Sequence, residues 1–270
     1  MILKYDGTNY YIVDQEYNYE TVISLALDPI ITADNTIRWY DQDTSNDYRI
    51  SSLSFKLNAE QTGILNTLLA SESLARGNNI SIFVSNKKDN FLFGADLGNY
   101  GIFEVSVVDY KISPYLQSPF RYFDVSLRIK MVTNPIYNMP SEVPQGNLRI
   151  GSTLNLLDAV VSLETNRAYT TSLSNSGDVY RVNKLEPNDY QIADITIECN
   201  QTKAGRIIYD LSNNIRGGSF NIIAQANNYF FGIDEGGAGT YSVKLNSNML
   251  SISHIKYNKF IIKFQVRNII

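Results

Sequence analysis

Alternating apolar and polar residues occur twice along the chain in the same arrangement, at residues 46–63 and 188–205. Each copy begins with Asn-Asp-Tyr, continues with an apolar residue at every second position, and ends in an Asn followed five residues later by Gly. A period of two predicts a strand with one buried face. The predicted buried residues are Leu53, Phe55 and Leu57 in the first copy and Ile195, Ile197 and Cys199 in the second.

A helix is predicted directly after each of these strands, because the apolar spacing changes from two to three or four. Asn58 and Asn200 stand where an N-cap residue is required, and Gln61 is placed to complete a capping box in the first copy. The predicted apolar helix faces are Ile64, Leu65, Leu68 and Leu69 in the first copy, and Ala204, Ile207, Ile208, Leu211 and Ile215 in the second.

The match between the copies continues beyond the helix. Arg76-Gly77 aligns with Arg216-Gly217, where Gly suits a helix C-cap, and residues 122–129 align with residues 259–266. Upstream of the copies, TVISLAL (21–27) aligns with DAVVSLE (158–164). We interpret these matches as a tandem duplication of one domain. The alternative is that two unrelated β-domains share a common strand–helix pattern.

The domain prediction follows from this repeat. Residues 1–132 form the first domain with an N-terminal arm, in which Asp6-Gly7 favours a hairpin. Residues 133–156, which contain three of the seven prolines, form a linker, and residues 157–270 form the second domain. The predicted fold class is α+β, mainly β, with two tandem β-sandwich or barrel domains that each pack one α-helix.

Four glycines are predicted to shape turns and not to bind a ligand. FLFG (91–94) aligns with YFFG (229–232), and GIFEV (101–105) aligns with GTYSV (239–243). The glycines at matching positions are Gly94, Gly101, Gly232 and Gly239. The run GGAG (236–239) lacks the Lys-Ser/Thr and the helix that a phosphate-binding loop requires, so a hairpin turn is the preferred interpretation.

Composition and charge exclude several classes of protein. A hydrophobic content of 44% with 19% charged residues is typical of a folded globular chain, and a net charge of −4 gives little support for specific nucleic-acid binding. The single cysteine, Cys199, excludes an intramolecular disulfide and is expected to be a buried thiol. No apolar run reaches membrane-spanning length, and the N-terminal residues lack a secretory pattern, so we expect synthesis in a cytosol.

Candidate catalytic or metal-binding residues are few. His254 is the only histidine, and we expect it on the surface of a strand with no nucleophile or metal ligand set beside it in sequence. Asp41, Asp43 and Ser45 have the spacing of the first ligands in a calcium loop, but Asn46 replaces the required Gly, so a solvated turn is preferred. We therefore predict a protein that is not an enzyme and binds no cofactor or metal.

The order of these segments resembles the tail-tube-like domain of bacteriophage tails, and in particular the N-terminal domain of distal tail proteins of the baseplate hub. The residues that carry the resemblance are ISSLSFKLN (50–58), QTGILNTLLAS (61–71), NISIFV (79–84), FLFG (91–94) and YFDVSLRIKMVTNP (122–135). The second repeat follows the same pattern over residues 190–270 without the terminal Asn-Pro. Together the two stretches span about 170 residues, although no motif in them is an invariant signature.

The resemblance implies a structural protein of the virion tail that forms a trimeric or hexameric ring, contacts other tail or baseplate proteins, and lets DNA pass without specific binding. Two fused domains would let three chains mimic a six-fold ring. Hairpins near residues 85–100 and 225–240 are expected to make most of the contacts between subunits. The alternative function is a carbohydrate- or receptor-binding β-domain protein of a tail tip or cell surface, which would use tyrosine-rich loops.

Overall fold

A computed structural model describes eighteen β-strands and both predicted helices. The described residues are 2–5, 8–11, 18–32, 37–43, 46–70, 79–84, 101–114, 122–132, 153–155, 159–166, 169–173, 179–183, 190–224, 239–256 and 259–268. The predicted linker therefore lies outside the described residues, apart from 153–155. Within the described part, the chain is mainly β with two α-helices, which confirms the predicted class at this level.

The strands are numbered in chain order. They are β1 (Ile2–Tyr5), β2 (Thr8–Tyr11), β3 (Asn18–Ser24), β4 (Leu27–Ile31), β5 (Ile37–Asp41), β6 (Tyr48–Asn58), β7 (Ile80–Val84), β8 (Gly101–Pro114), β9 (Tyr122–Met131), β10 (Thr153–Asn155), β11 (Ala159–Asn166), β12 (Tyr169–Leu173), β13 (Val179–Asn183), β14 (Tyr190–Cys199), β15 (Phe220–Ala224), β16 (Gly239–Leu245), β17 (Met249–Lys256) and β18 (Lys259–Asn268). The helices are α1 (Ala59–Leu69) and α2 (Gln201–Tyr209), and a π-helical segment, Asp210–Ile215, continues α2.

Five antiparallel strands of the N-terminal half, residues 1–132, lie side by side in the order β3-β6-β9-β8-β7. Leu53 of β6 pairs with Leu127 of β9, and Ile80 of β7 pairs with Val105 of β8. The hairpin β1–β2 pairs with β7 and extends this order by two strands, which confirms the predicted N-terminal hairpin. The strands β4 and β5 pair only with each other and form a separate hairpin in the described part.

The C-terminal half, residues 153–268, repeats this pairing with β11-β14-β18-β16-β15. Ile195 of β14 pairs with Phe264 of β18, and Phe220 of β15 pairs with Val243 of β16. The hairpin β12–β13 has the same strand lengths as β4–β5 and also stands apart from the main sheet. Strand order and register thus recur from one half to the other.

The sequence alignment of residues 21–27 with residues 158–164 is wrong by five residues. Asn18 of β3 lies opposite Ser54, four positions before the cap Asn58, and Val160 of β11 lies opposite Thr196, four positions before the cap Asn200. Asn18 therefore corresponds to Val160, whereas the sequence alignment would pair it with residue 155. The alignment error has a physical cause, because the apolar run at residues 159–161 lacks the alternation that fixes a strand register.

The two halves share one sheet, because β3 of the N-terminal half pairs antiparallel with β17 of the C-terminal half. Ile252 lies opposite Thr21 in this pairing, and both side chains are buried. The Thr21 hydroxyl forms a 2.9 Å hydrogen bond with the hydroxyl of Ser51 on β6. Hydrogen-bonded strands therefore run from β15 to β2 through both halves.

Both helices pack on the same buried face of the shared sheet. All six predicted core residues of β6 and β14 are buried there, in one apolar cluster with residues of α1 and α2. Leu65 and Leu68 of α1 are 2% exposed, but Ile64 is 41% exposed, so its predicted place on the buried face is wrong. Thr62 is buried instead, because its hydroxyl donates a 2.7 Å hydrogen bond to the carbonyl of Asn58.

The predicted helix caps are confirmed. The Asn58 side chain accepts a hydrogen bond from the Gln61 amide, and the Gln61 side chain completes the capping box. The Asn200 side chain accepts from the Lys203 amide in the same way. Each cap satisfies a backbone donor that the first helical turn leaves without an intrahelical partner.

The end of α2 differs from that of α1. Arg206 and Asp210 form a buried ion pair of 2.9 Å where the α-helix becomes a π-helix. The π-helical segment ends at Ile215 and is followed by Arg216, with φ of +28°, and Gly217, with φ of +78°. Gly217 thus has the left-handed conformation expected of a C-cap glycine. In the first copy α1 already ends with Ala70 as its C-cap, so the predicted cap at Gly77 is wrong, and Gly77 itself lies outside the described residues.

Candidate functional site

The face of the sheet opposite the helices is polar and exposed; we call it the open face. One row of it runs across β3, β6, β9 and β8 as Asn18, Ser54, Ser126 and Lys111, each opposite the next. These side chains line an open groove of about 610 Å³. Alternation of exposed and buried residues along β6 and β9 keeps the apolar residues on the helix side.

Two pairs of oppositely charged residues lie on the open face. Arg128 lies 3.4 Å from Asp109, and Lys259 lies 2.7 Å from Glu198. All four side chains are about half exposed, so each pair contributes about 1 kcal/mol or less to stability. The pairing gives these parts of the open face no excess of either charge.

The strongest polar contact in the described part between the two halves joins Arg216 to Asp47. Arg216 Nη1 donates to Asp47 Oδ2 at 2.8 Å, and Nη2 donates to Asp47 Oδ1 at 3.0 Å. The Asp47 side chain is fully buried and also accepts a 2.6 Å hydrogen bond from the backbone amide of Ala26. This two-bond geometry matches the planar guanidinium to the carboxylate, so the contact is directional as well as charged.

Asp41 binds the same guanidinium from the solvent side. Arg216 Nε lies 2.8 Å from both carboxylate oxygens of Asp41, whose side chain is 46% exposed. Burial by itself would lower the pKa of Arg216, but hydrogen bonds and charge from Asp47 and Asp41 raise it above its ordinary value. Arg216 is therefore a permanent cation that both carboxylates hold.

This contact corrects the prediction of a solvated turn at residues 41–47. Asp47 is buried, and Asp41 binds an arginine 175 positions away in sequence. Asp43 turns the chain with φ of +91° and donates its backbone amide to Asp41 Oδ1. Ser45 lies outside the described residues. The Asp41 carboxylate that the calcium hypothesis required thus binds a guanidinium.

The only tryptophan packs at the same boundary. A Cβ built on Gly217 would lie 2.6 Å from the Cβ of Trp39, so glycine is required by close approach as well as by its positive φ. Trp39 Nε1 donates a 2.9 Å hydrogen bond to the carbonyl of Leu245. Lys244 Nζ in turn donates to the carbonyl of Ile37, at 3.1 Å. The hairpin β4–β5 is thereby fixed to the C-terminal half.

His254 lies at the junction between the halves, and the predicted surface position is wrong. Its ring stacks on Tyr19 of β3, with centroids 5.5 Å apart and planes 8° apart, and also contacts Phe260 of β18. His254 stands one residue beyond Ser253, which pairs with Glu20. The β3–β17 pairing therefore brings the histidine over a buried tyrosine.

Cys199 is buried at the end of β14, in the cluster that contains α2. Burial raises the pKa of its thiol to about 12, and the positive charge of Lys203 only partly opposes this effect. Such a thiol is protonated near neutral pH and is a poor nucleophile.

The predicted turn glycines are only partly described. Gly101 and Gly239 begin β8 and β16, opposite Val84 and Ala224. Gly94 and Gly232 lie outside the described residues, as do the hairpin segments near 85–100 and 225–238. A strand does follow the glycine-rich run, as predicted.

Sequence reasoning missed the contact between Arg216 and Asp47. Both occur in segments that repeat, Asn46-Asp47-Tyr48 and Arg216-Gly217, but the sequence patterns there predict a solvated turn before a strand and a helix C-cap. The repetition of a carboxylate and a guanidinium at matching positions was the available signal.

No helix among the described residues is long and apolar enough to cross a membrane. Across the described ranges, no group of three or more His, Cys, Asp or Glu side chains is arranged to hold a metal ion. No protein-family model and no curated protein sequence matches the chain.

Proposed function

We propose that the chain is a non-enzymatic structural protein that forms a ring in a bacteriophage tail, as a tail-tube, distal tail or baseplate hub component. It would be synthesised in the host cytoplasm, act in the virion tail, contact other tail or baseplate proteins, and need no cofactor. The observation that carries the proposal is the single sheet that joins both halves, with both helices on one face and a polar open face on the other.

This arrangement suits the wall of a ring. A sheet covered on one side has a solvated face that can line a water-filled channel, and its edge strands can pair with neighbouring subunits. Two joined halves per chain would place six similar units in a ring of three chains.

The repeated strand order supports a tandem duplication, with domains at residues 1–132 and 157–270. Leu53 opposite Leu127 and Ile195 opposite Phe264 are matching pairs in the two halves. Unrelated domains have no reason to share both strand order and register.

Two ion pairs on the open face support passage of DNA without tight binding. Tight binding to a phosphate backbone requires an array of unpaired Lys and Arg side chains. Arg128 and Lys259 are each neutralised by a carboxylate on the same face. A channel lined in this way would hold DNA weakly.

A carbohydrate- or receptor-binding function is the second candidate. The groove on the open face presents hydroxyl, amide and ammonium groups from Ser54, Ser126, Asn18 and Lys111, which are suited to hydrogen bonding with sugars. A subunit that decorates the outside of a particle would keep this groove accessible to large ligands, whereas a ring would enclose it.

Thiol labelling in assembled particles tests the proposal. Cys199 is buried, so the Ser126→Cys variant carries one reactive thiol, on the open face. The Ile64→Cys variant carries one on the solvent-exposed side of α1. In a ring with the open face inward, polymer-linked maleimide should label Ile64→Cys much faster than Ser126→Cys, whereas a small maleimide should label both.

Equal labelling of the two variants by the polymer reagent would contradict the ring. Absence of the protein from purified virions, or its presence as an external monomer, would do the same and would favour the binding protein. Glycan binding that is lost on Ser54→Trp, which fills the groove, would support that second function directly.

A further inference from the structure

We propose that β11 of one copy pairs antiparallel with the C-terminal part of β8, residues 109–113, in a second copy of this chain. The pairing would repeat between copies the β3–β17 pairing that joins the halves within one chain. The inference rests on the proposed ring and specifies which strand edges close it.

The internal β3–β17 pairing is the template. Ser251 lies opposite Val22, Ile252 opposite Thr21, and Ser253 opposite Glu20. The Ser251 hydroxyl on β17 also donates a 2.8 Å hydrogen bond to the Glu20 carboxylate on β3. The C-terminal half thus already binds an edge strand of the other half along β17.

Strand β11 holds the place in the C-terminal half that β3 holds in the N-terminal half. Each pairs antiparallel with the strand that precedes a helix, β14 and β6 respectively, in the same register. Counted from that register, Leu163 corresponds to Thr21 and Glu164 corresponds to Val22.

The C-terminal part of β8 holds the place of β17. Lys111 lies opposite Ser126 of β9, and Ser251 lies opposite Lys263 of β18. Ser126 and Lys263 are at matching positions, because β9 and β18 correspond to each other in the two halves. A β-bulge between Val107 and Asp109 divides β8 at the point where β16 and β17 are separate strands. Residues 109–113 are therefore the counterpart of the β17 segment that binds β3.

Both edges are open in the part of the chain that the structure describes. There β11 pairs with β14 alone, and residues 109–114 of β8 pair with β9 alone. The difference is visible in burial. Leu250 of β17 is 1% exposed beside β3, whereas its counterpart Tyr110 is 40% exposed. An added strand would cover Tyr110 as β3 covers Leu250.

The transferred register brings complementary residues together. It sets Ile112 opposite Leu163, Ser113 opposite Ser162, and Lys111 opposite Glu164. Apolar and oppositely charged residues directly across antiparallel strands stabilise the pairing, whereas like charges oppose it. The duplication alone does not account for the Lys111–Glu164 match, because the corresponding residues of the internal junction are Ser251 and Val22, which carry no charge.

The sequence repeats the ion pair of the internal junction as well. Asp47 has its counterpart in Asp189, and Arg216 has its counterpart in Arg76. Asp189 and Arg76 lie outside the described residues. Recurrence of both residue types is expected if the junction is used twice, once within each chain and once between copies.

Disulfide trapping tests the register. Ser113→Cys combined with Ser162→Cys puts two thiols directly opposite each other across the proposed junction, at a Cα separation that a disulfide can bridge. In the control pair, Ser113→Cys with Asn166→Cys, the second thiol lies about 13 Å farther along the strand. Buried Cys199 remains a silent background in both variants.

Mild oxidation of the full chain at its highest soluble concentration should give disulfide-linked dimers and longer oligomers with the first pair only. Charge reversal provides an independent measurement by sedimentation. Lys111→Glu should weaken association about tenfold, and adding Glu164→Lys should restore it. Lys111 is exposed, so the folded state should persist when its charge is reversed.

The outcomes separate this inference from the proposed function. Rings in negative-stain images without the specific disulfide would overturn the β11–β8 junction and leave the ring intact. Disulfide-linked oligomers that do not close into rings, formed by a protein that is absent from virions, would support the junction and overturn the tail ring. Equal cross-linking of the two cysteine pairs, or none in either, would reject the register.

Discussion

Replacement of Arg216 by alanine is the most informative single change, because it removes one partner of a buried ion pair between the halves. Asp47 is fully buried, so it would lose both Arg216 donors while its 2.6 Å hydrogen bond from Ala26 remains. Removal of one partner of a buried ion pair typically costs about 3–5 kcal/mol. We expect Arg216→Ala to lower the free energy of unfolding by that amount.

Three further variants divide this cost into its parts. Arg216→Lys keeps the charge but loses the paired N–H donors, so it should recover only a fraction of the stability. Asp41→Asn should cost about 1 kcal/mol or less, because the Asp41 side chain is 46% exposed. Lys259→Ala breaks an exposed ion pair and serves as the matched control, with a similarly small effect.

Urea unfolding followed with two probes measures these differences. Trp39 is the only tryptophan and packs against Gly217, so its fluorescence reports on the junction, whereas far-UV circular dichroism reports on all strands. In the unmodified chain the two transitions should coincide. In Arg216→Ala the fluorescence transition should come at lower urea than the circular dichroism transition.

A cost below 1 kcal/mol for Arg216→Ala, equal to that of Lys259→Ala, would refute the role assigned to the buried pair. Coincident transitions at an unchanged midpoint would lead to the same conclusion. The strand pairing would then hold the halves together without help from the ion pair.

Three other changes have expected outcomes in the same unfolding assay or in a labelling assay. Leu57→Ala should cost about 2–5 kcal/mol, because Leu57 is fully buried beneath α1. Gly217→Ala should cost more than about 2 kcal/mol through its positive φ and its contact with Trp39, whereas Gly63→Ala, with open space around it in a helix, should stabilise by about 1 kcal/mol. The Cys199 thiol should react slowly with thiol reagents at pH 8 in the native protein and rapidly in urea, since burial raises its pKa to about 12. The raised pKa also means that the stability associated with the neutral thiol is present below about pH 9 and lost as the pH rises toward 12.

Local features of the fold could be predicted from the sequence, because their causes lie within a few residues. Asn58 and Asn200 were identified as helix caps from their place before an apolar helical pattern, and the structure confirms both. Strict alternation likewise located the buried faces of β6 and β14. Ile64 was misplaced because a run of adjacent apolar residues leaves the edge of a helical stripe undefined.

Long-range contacts could not be predicted, because no local pattern encodes them. Asp47 and Arg216 are 169 residues apart, and although both segments repeat, the repetition alone does not show that the two residues contact each other. The pairing of β3 with β17 likewise depends on how the two halves meet. His254 was misplaced for the same reason, since the tyrosine that it stacks on belongs to the other half of the chain.

The β3–β17 junction has a kinetic consequence that follows from chain connectivity. The peptide chain tethers the two halves, so this junction forms at the effective concentration set by the linker, of order millimolar, and not at the concentration of free subunits. Junctions between chains have no such tether and depend on encounter. In any assembly of these chains, the junction within each chain would therefore form before subunits meet. Dilution would dissociate only the junctions between chains.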